Sequence, residues 1–559
     1  MITALSIVWL FCSLKAILFW LYLWQLKEYH WGRFRAHFRT LRGRLILLNK
    51  TLAIKLFFII GYLATPLIAR ISLLIPFDPT LYPIYLSFFL FLFYFFGAAK
   101  TVYGFLSGTL IRPVFTKKAI FLFLLASGLF ALAPFLFYSL LNRIPAKCSA
   151  NFAGCFAQTV LLIDILSPLI VSLIVLFFQP FTALWRNYVI YQAKKKRASF
   201  KKLIAIGITG SYGKTSVKEF LYEILSRRFN VLKTEAHQNA EIGISRCILE
   251  RLNSQQEIFI AEMGAYNCGG IRLLAGIVQP KIGILTGISE QHLDTFGSQE
   301  NIIRTKFELI ESLPEEGTAI LNGDDANIKD QILNIKNYNL KVKNIKFCAT
   351  ESRNDIWAEN IAVERERISF RAKTTGGEEA DFQVNLLGRQ NVINILLATQ
   401  CAKELGMSLK EISEAARNIN PKQSGITLIK GRDGLNVLDS TYSANSQSII
   451  AHLDYLALWP GKKAIIMPSL IELGTASEAV HQKIGKKIAE VCDLAIITTF
   501  DGLKALRQGA AEVKDNFPIT YSENSEETIK IIKDNFKEGD IVLLESRVPE
   551  KIINYLEGK

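Results

Sequence analysis

Five apolar runs crowd into the first third of the chain, near residues 4–26, 51–75, 82–99, 119–141 and 159–185. Each is close to or longer than the ~20 residues a helix needs to cross a bilayer core. Lipid offers no water to a bare backbone, so each run is expected to be a helix that pairs its own amides. The segments between the runs alternate in charge. Segments 27–55 and 100–118 are rich in Lys and Arg, "PFDPTLYP" has no basic residue, and 142–158 has only Arg143 and Lys147. Basic loops stay on the cytoplasmic side, which puts the N-terminus outside and everything after the fifth run in the cytoplasm. The first run is long and has no basic residues ahead of it, so a cleaved signal peptide is not expected.

The formal net charge is +15. Two basic clusters flank apolar runs: Arg33, Arg35, Arg39, Arg42 and Arg44, and Lys194, Lys195, Lys196, Arg197, Lys201 and Lys202. That placement suits anionic lipid at a membrane's cytoplasmic face; nucleic acid is not an expected partner. The eight cysteines include no CxxC and no His/Cys pair at zinc spacing. Cys148 and Cys155 share one loop, where they form a disulfide if that loop is outside or remain two separate thiols. Arg70 and Asp164 stand out as charges inside the runs. Either they pair with each other, or Arg70 snorkels and Asp164 is exposed at the interface. With no repeat and no series of intramembrane acids, a transporter is not expected.

After Lys202 the texture changes. "KLIAIGITG", "EIFIAEMG", "IGILTGI" and "TAILNGDD" read as buried strands, alternating with helical patterns such as "NIIRTKFELIESL" and "QNVINILLATQCAKELG". A second series follows in "LNVLDS", "KAIIMPS", "LAIITTF" and "DIVLLES", after a polar break at "NINPKQSG". Strand–helix alternation predicts mostly parallel sheets covered on both faces. The expected fold class is an α-helical transmembrane region followed by α/β. Its domains would be a membrane region over 1–189, an ATP-binding domain over 190–425, and a Rossmann-like domain over 426–559.

The first strand runs into Gly210, Ser211, Tyr212, Gly213, Lys214, Thr215 and Ser216, and then a helix. Glycines let backbone N–H groups approach phosphate, and a helix N-terminus adds partial positive charge. Lys214 can reach the β- and γ-phosphates of ATP, and the Thr215 hydroxyl can hold Mg²⁺. The strict phosphate-loop pattern wants glycine where Ile208 stands, leaving the shorter TGxxGKT[ST] form.

That loop, followed in order by "AEMGA", "ISEQHLDTFGS", "IIRTKFELI", "AILNGDD", "LLGRQNVIN", "LDSTYSANS" and "LIELGTASEAVHQKIG", resembles the Mur ligase family over about 203–559. The late motifs are most similar to those of members that add a dipeptide to a muramoyl tripeptide. The resemblance implies a P-loop ATPase domain and a Rossmann-like domain that use ATP and Mg²⁺. The family joins an amine, either an amino acid or a dipeptide, to a muramoyl-peptide or similar carboxylate through an acyl phosphate. It implies Glu262 and His292 as metal ligands, and Lys306 as a third once carbamylated. Asn391 and Asn394 would lie on the adenine side and Asp439 near the ribose. Asn239, Glu241, Glu472 and His481 would lie on the substrate side or order the closing domain. Lys214, Lys306 and His292 are the expected catalytic group.

The sequence also departs from the family pattern. N-x-N-N-E-I-G-x-P becomes His237-Gln-Asn239-Ala240-Glu241-Ile-Gly-Ile-Ser245. Gln390 replaces a histidine, Gly425 an arginine, Ser440 an acid and Ser446 a proline. Apolar runs precede the loop where family members carry a small domain that holds a UDP-sugar. The expectation is a membrane-anchored ligase of peptidoglycan precursor synthesis that works beside membrane-bound wall enzymes. Two alternatives stay open: a Mur-like ligase on another cell-envelope or polyglutamate substrate, and a membrane scaffold that binds nucleotide with little catalysis.

Overall fold

The computed structural model describes residues 2–27, 29–38, 41–71, 81–141, 152–333, 340–441 and 445–559. The chain divides into two compact units, Met1–Trp185 and Arg186–Lys559.

Among the described residues the regular elements of the first unit are helices: α1 (Ile2–Leu26), α2 (Trp31–His37), α3 (Leu41–Leu47), α4 (Lys50–Ile71), α5 (Leu81–Leu106), α6 (Lys117–Leu141), α7 (Phe152–Ile165) and the start of α8 (Ser167–Ser199). Five segments are long and apolar enough to cross a membrane: Thr3–Leu26, Gly43–Thr65, Leu81–Leu106, Lys117–Leu136 and Ser167–Ser199. Trp9, Trp24, Tyr94, Phe130 and Val171 are buried between the helices, whereas Phe57, Phe96, Leu132 and Phe177 face outward. Helices apolar on both inner and outer surfaces are what a lipid solvent selects.

Three expectations change here. The run 159–185 is not one span: α7 ends at Ile165, and α8 restarts at Ser167 with Pro168 in its first turn. Proline lacks an N–H and disfavours helical backbone in the residue before it. The 14 residues of α7 reach about 21 Å, short of a ~30 Å hydrocarbon core. Asp164 is buried rather than interfacial, and it pairs with Lys55, Nζ to Oδ2 at 2.8 Å, while accepting from the Tyr94 hydroxyl at 2.9 Å. Lys15 and Lys55 are further cations within apolar helices, beside the two charges identified from sequence. The side chain of Arg70, Cys148 and the side chain of Cys155 lie outside the described residues, and with them the choice between a disulfide and two separate thiols.

The second unit holds two sheets. In the first, strands β1 (Ile204–Thr209), β2 (Val231–Lys233), β3 (Ile258–Glu262), β4 (Ile282–Leu285), β5 (Thr318–Asn322), β6 (Asn344–Ala349), β7 (Ile356–Val363), β8 (Ile368–Thr374) and β9 (Glu379–Val384) take the order β2-β3-β1-β4-β5-β6-β7-β8-β9. Pairing is parallel from β2 through β7, and β7–β8–β9 is an antiparallel meander. Helices α9 (Lys214–Leu225), α10 (Glu241–Arg251), α11 (Gly270–Val278), α12 (Leu293–Phe296), α13 (Gln299–Glu311), α14 (Ala326–Leu333) and α15 (Gln390–Glu404) follow in chain order. Ile206 and Ile208 pack on one face with Phe220 and Leu396, and Ala205 on the other with Phe259 and Phe307. Cover on both faces is why β1 reads as a continuous apolar run.

The second sheet contains β10 (Thr427–Lys430), β11 (Asn436–Ser440), β12 (Lys463–Met467), β13 (Leu494–Ile497), β14 (Ile519–Tyr521) and β15 (Ile541–Glu545), in the order β10-β11-β15-β12-β13-β14. Only β10 runs antiparallel to its neighbour. The end of α8 belongs to this unit. Ile190 and Ala193 are buried in the first sheet's core, and the Arg197 guanidinium donates to the carbonyls of Val278, Phe200 and Leu203 at 2.8, 3.1 and 3.2 Å.

Candidate active site

β1 lies between β3 and β4, so the loop at its carboxyl end opens where parallel sheets gather ligands. Gly213, at φ 77°, caps α9, and a Cβ there would come within 2.7 Å of Asn394 Oδ1. At Gly210 a Cβ would strike Thr286 Oγ1 and crowd Gly287. Both positions therefore need glycine on steric grounds. The loop is pinned from the β4 side. Ser211 N donates to Gly287 O at 2.7 Å, the Thr286 hydroxyl donates to Tyr212 O, and the Tyr212 hydroxyl donates to Asp325 Oδ2 at 2.8 Å. Asp325 also accepts from Ile288 N at 2.8 Å and Ile328 N at 3.2 Å.

Lys214 folds back over the loop, its Nζ donating to Gly210 O at 2.8 Å and Ser211 O at 3.3 Å. Burial holds its ammonium below the usual lysine range, against the pull of Glu262. Thr215 and Ser216 follow in the first turn of α9. Thr215 Oγ1 donates to Glu262 Oε2 at 3.0 Å, at the end of β3. Asn239 Nδ2 donates to the other oxygen at 3.1 Å, and Lys218 Nζ stands 3.3 Å from Oε2. Burial opposes ionisation of Glu262, but Lys214 and Lys218 with these hydrogen bonds outweigh it and keep the carboxyl below its ordinary range.

His292, at φ 66°, presents Nδ1 to Glu472 Oε2 at 2.6 Å, with the Tyr266 ring edge-on 4.9 Å away. Burial pushes this imidazole below its usual value, and Glu472 partly restores it. Lys306 on α13 is 4% exposed and has no carboxylate in ion-pairing range among the described residues. Burial, reinforced by Lys214, lowers its amine to about 7. Gly210, Ser211, Lys214, Asn239, Tyr266, His292 and Lys306 line one cavity.

The remaining sequence candidates are divided. Asn391 is fully buried, donating to Leu387 O at 2.8 Å and accepting from Asn394 Nδ2 at 3.2 Å, so this pair shapes the wall behind Gly213. Both amide atoms of Gln390, beside them, are buried without a partner among the described residues. Asp439 accepts from Thr441 N at 2.9 Å and from its hydroxyl at 2.7 Å, closing the turn after β11; residues 442–444 lie outside the described residues. Glu241 opens α10 and stands 3.5 Å from Arg186. His481 is buried, with Nε2 accepting from Leu470 N at 3.1 Å and Nδ1 on Ser477 O at 2.6 Å, which spends both nitrogens on local backbone.

Sequence reading missed Lys218 and Asp325 as parts of the site. Lys218 was detectable because it lies four residues after Lys214, on the same helix face. Asp325 ends the quoted "NGDD" and had a motif but no assigned role.

Comparison with known proteins follows the same residues. The Mur ligase middle domain matches 208–402, and the Mur ligase, glutamate ligase domain matches 426–547. The UDP-N-acetylmuramoyl-tripeptide–D-alanyl-D-alanine ligase of Bacillus subtilis is 26% identical over 344 residues, covering 61% of this chain and 72% of that one. The Escherichia coli enzyme of the same name is 31% identical over 281 residues, covering 50% and 61%. Thus the chain spans between three-fifths and three-quarters of the length of these relatives. The crystal structure of MurF from Acinetobacter baumannii superposes with a TM-score of 0.59 at 26% identity, covering 67% of this chain and 81% of that one. MurF from Thermotoga maritima, solved in complex with ADP, shares the fold with a TM-score of 0.57 at 24% identity. With both domains matched over more than half of its length, the chain belongs to the Mur ligase family of ATP-dependent amide ligases.

Proposed function

We propose that this protein is a membrane-anchored ligase of peptidoglycan precursor synthesis that joins D-alanyl-D-alanine, or a similar amine, to a muramoyl-peptide carboxylate. The observation that carries the reading is a single cavity lined by the phosphate loop, His292 and Lys306, with Glu262 hydrogen-bonded to Thr215 at its edge. The named relatives act on the same chemistry. The five apolar segments support anchoring by length and composition.

In this reading the loop amides and Lys214 hold the triphosphate of ATP, and the orphaned amide of Gln390 meets the base beside Asn391 and Asn394. A substrate carboxylate oxygen attacks the γ-phosphorus and ADP leaves, giving an acyl phosphate. The amine then attacks the acyl carbon; inorganic phosphate leaves, the nitrogen gives up a proton, and the C–N bond remains. Asp439 serves the ribose. Glu241 belongs to the acceptor side, and His481 orders the loop that carries Glu472.

The oxygen donors suit Mg²⁺: a hydroxyl at Thr215, an ionised carboxylate at Glu262, and a carbamate oxygen once Lys306 is modified, with the His292 imidazole as a nitrogen donor beside Lys306. When bound, the ion offsets repulsion between the incoming carboxylate and the triphosphate. Carbon dioxide adds to a neutral amine, and a lysine held at about 7 supplies one near neutral pH.

The test uses the full-length protein in detergent, with phosphate release from ATP as the readout. Release that requires both a muramoyl tripeptide and D-alanyl-D-alanine, and is lost in Lys214→Ala, is expected. A lipid-linked and a UDP-linked tripeptide, supplied in parallel, separate the two acceptor forms. Binding of ATP without turnover on any carboxylate would instead support the scaffold alternative.

A further inference from the structure

We infer that Glu472 is the outer carboxylate of His292, supplied by the C-terminal domain, so that the imidazole is fully oriented for a cation only when that domain is docked. The inference rests on the metal-binding reading of His292 given above.

Glu472 lies 180 residues beyond His292, in the loop after β12, and its Oε2 reaches Nδ1 at 2.6 Å. The contact is double, because Asp294 N also donates to Glu472 O at 3.0 Å. Both partners are non-glycine residues in left-handed backbone, at φ 66° for His292 and φ 65° for Glu472. Such backbone is strained for a residue that carries a Cβ and persists where its surroundings over-determine it. Here two strained loops from two sheets are turned to face each other. Gly474 follows at φ 53°, where a Cβ would sit 3.4 Å from Asp294 N, so the loop lies close against α12. A second contact supports the docked arrangement: the Ser446 hydroxyl donates to Glu290 Oε2 at 3.1 Å, two residues before His292.

With Nδ1 engaged by Glu472, Nε2 is the ring nitrogen left for a cation. A carboxylate on the far nitrogen fixes the tautomer and ring orientation of a ligating histidine. Here that carboxylate arrives with a second domain. By linkage, docking then raises cation affinity at His292, and cation binding favours docking by the same factor.

The test measures Mn²⁺ binding by electron paramagnetic resonance on the full-length protein in detergent, with a non-hydrolysable ATP analogue present. Glu472→Ala is expected to weaken Mn²⁺ binding about tenfold or more. Glu472→Gln, whose amide oxygen still accepts from Nδ1–H, should recover part of the loss and controls for folding. In a His292→Ala background, Glu472→Ala should weaken binding no further. If His292→Ala weakens Mn²⁺ binding while Glu472→Ala does not, or if the two losses multiply, the inference is overturned and the metal reading of His292 stands. If His292→Ala itself leaves Mn²⁺ binding unchanged, both fall.

Discussion

Lys306 sits on α13 with its amine lowered to about 7 by burial and by Lys214, against an ordinary 10.5. Below pH 7 the amine is charged in both folded and unfolded chains, and the folded state bears the full cost of burying it. Between about 7 and 10.5 the folded amine is neutral while the unfolded one still holds its proton, so stability rises with pH at up to ~1.4 kcal/mol per unit. Lys306→Met removes that cost. In CO₂-free buffer its gain over wild type in denaturant titrations should be largest below pH 7 and vanish toward 10.5. Asp325 makes a different prediction, since it pins the phosphate loop through Tyr212 and also accepts from Ile288 N and Ile328 N. Asp325→Ala leaves these buried donors unpaired and should cost about 2–3 kcal/mol, with weaker ATP binding by calorimetry. Tyr212→Phe should cost about 1 kcal/mol. Phosphate-loop residues were legible in sequence because their partners are near in chain and their spacing is rigid. The partner of Asn239 was not: its amide donates to Glu262, at the end of a neighbouring strand.

At the scale of elements, the strands and helices quoted from sequence around the site recur in the structure at β1, β3, β4, β5, α9, α13 and α15. Their buried runs and helical periods are local signals, which is why they could be read. The meander β7–β9 went unread although β8 alternates buried and half-buried residues along its length; polar outward positions dilute a search for apolar runs. Lys15 went unread in its apolar run, and Lys55 was read as the end of the basic segment 27–55, whereas it lies within an apolar helix. In the helical unit, Lys55, Tyr94 and Asp164 tie α4, α5 and α7 together. Breaking a buried pair from one side leaves an uncompensated charge, at about 3–5 kcal/mol. Asp164→Asn and Lys55→Met should each lower the melting temperature of the detergent-solubilised protein. Lys55→Asp combined with Asp164→Lys should recover part of the loss; a double variant no more stable than the singles would show the two residues to be independent.

At the scale of the whole molecule, the two units each have their own buried cores. The boundary falls within α8, whose residues from Arg186 onward contribute Ile190, Ala193 and Arg197 to the second unit. A chain beginning at Arg186 should therefore fold and bind ATP. One beginning at Leu203 should melt lower, having lost buried Ile190 and Ala193 and the Arg197 donors to the carbonyls of Val278, Leu203 and Gln279. If the acceptor is lipid-linked, the Arg186 form should lose turnover on it while keeping ATP affinity, as phosphate release and calorimetry would report. The sequence by itself determined the apolar runs, the phosphate loop, the strand–helix alternation and the family, because each is written in contiguous residues whose spacing sets backbone geometry. Only the tertiary structure decided partners: Lys55 for Asp164, Glu262 for Asn239, and Glu472 for His292 across 180 residues. Those choices depend on which surfaces pack together, and packing is a property of the folded chain that no local window contains.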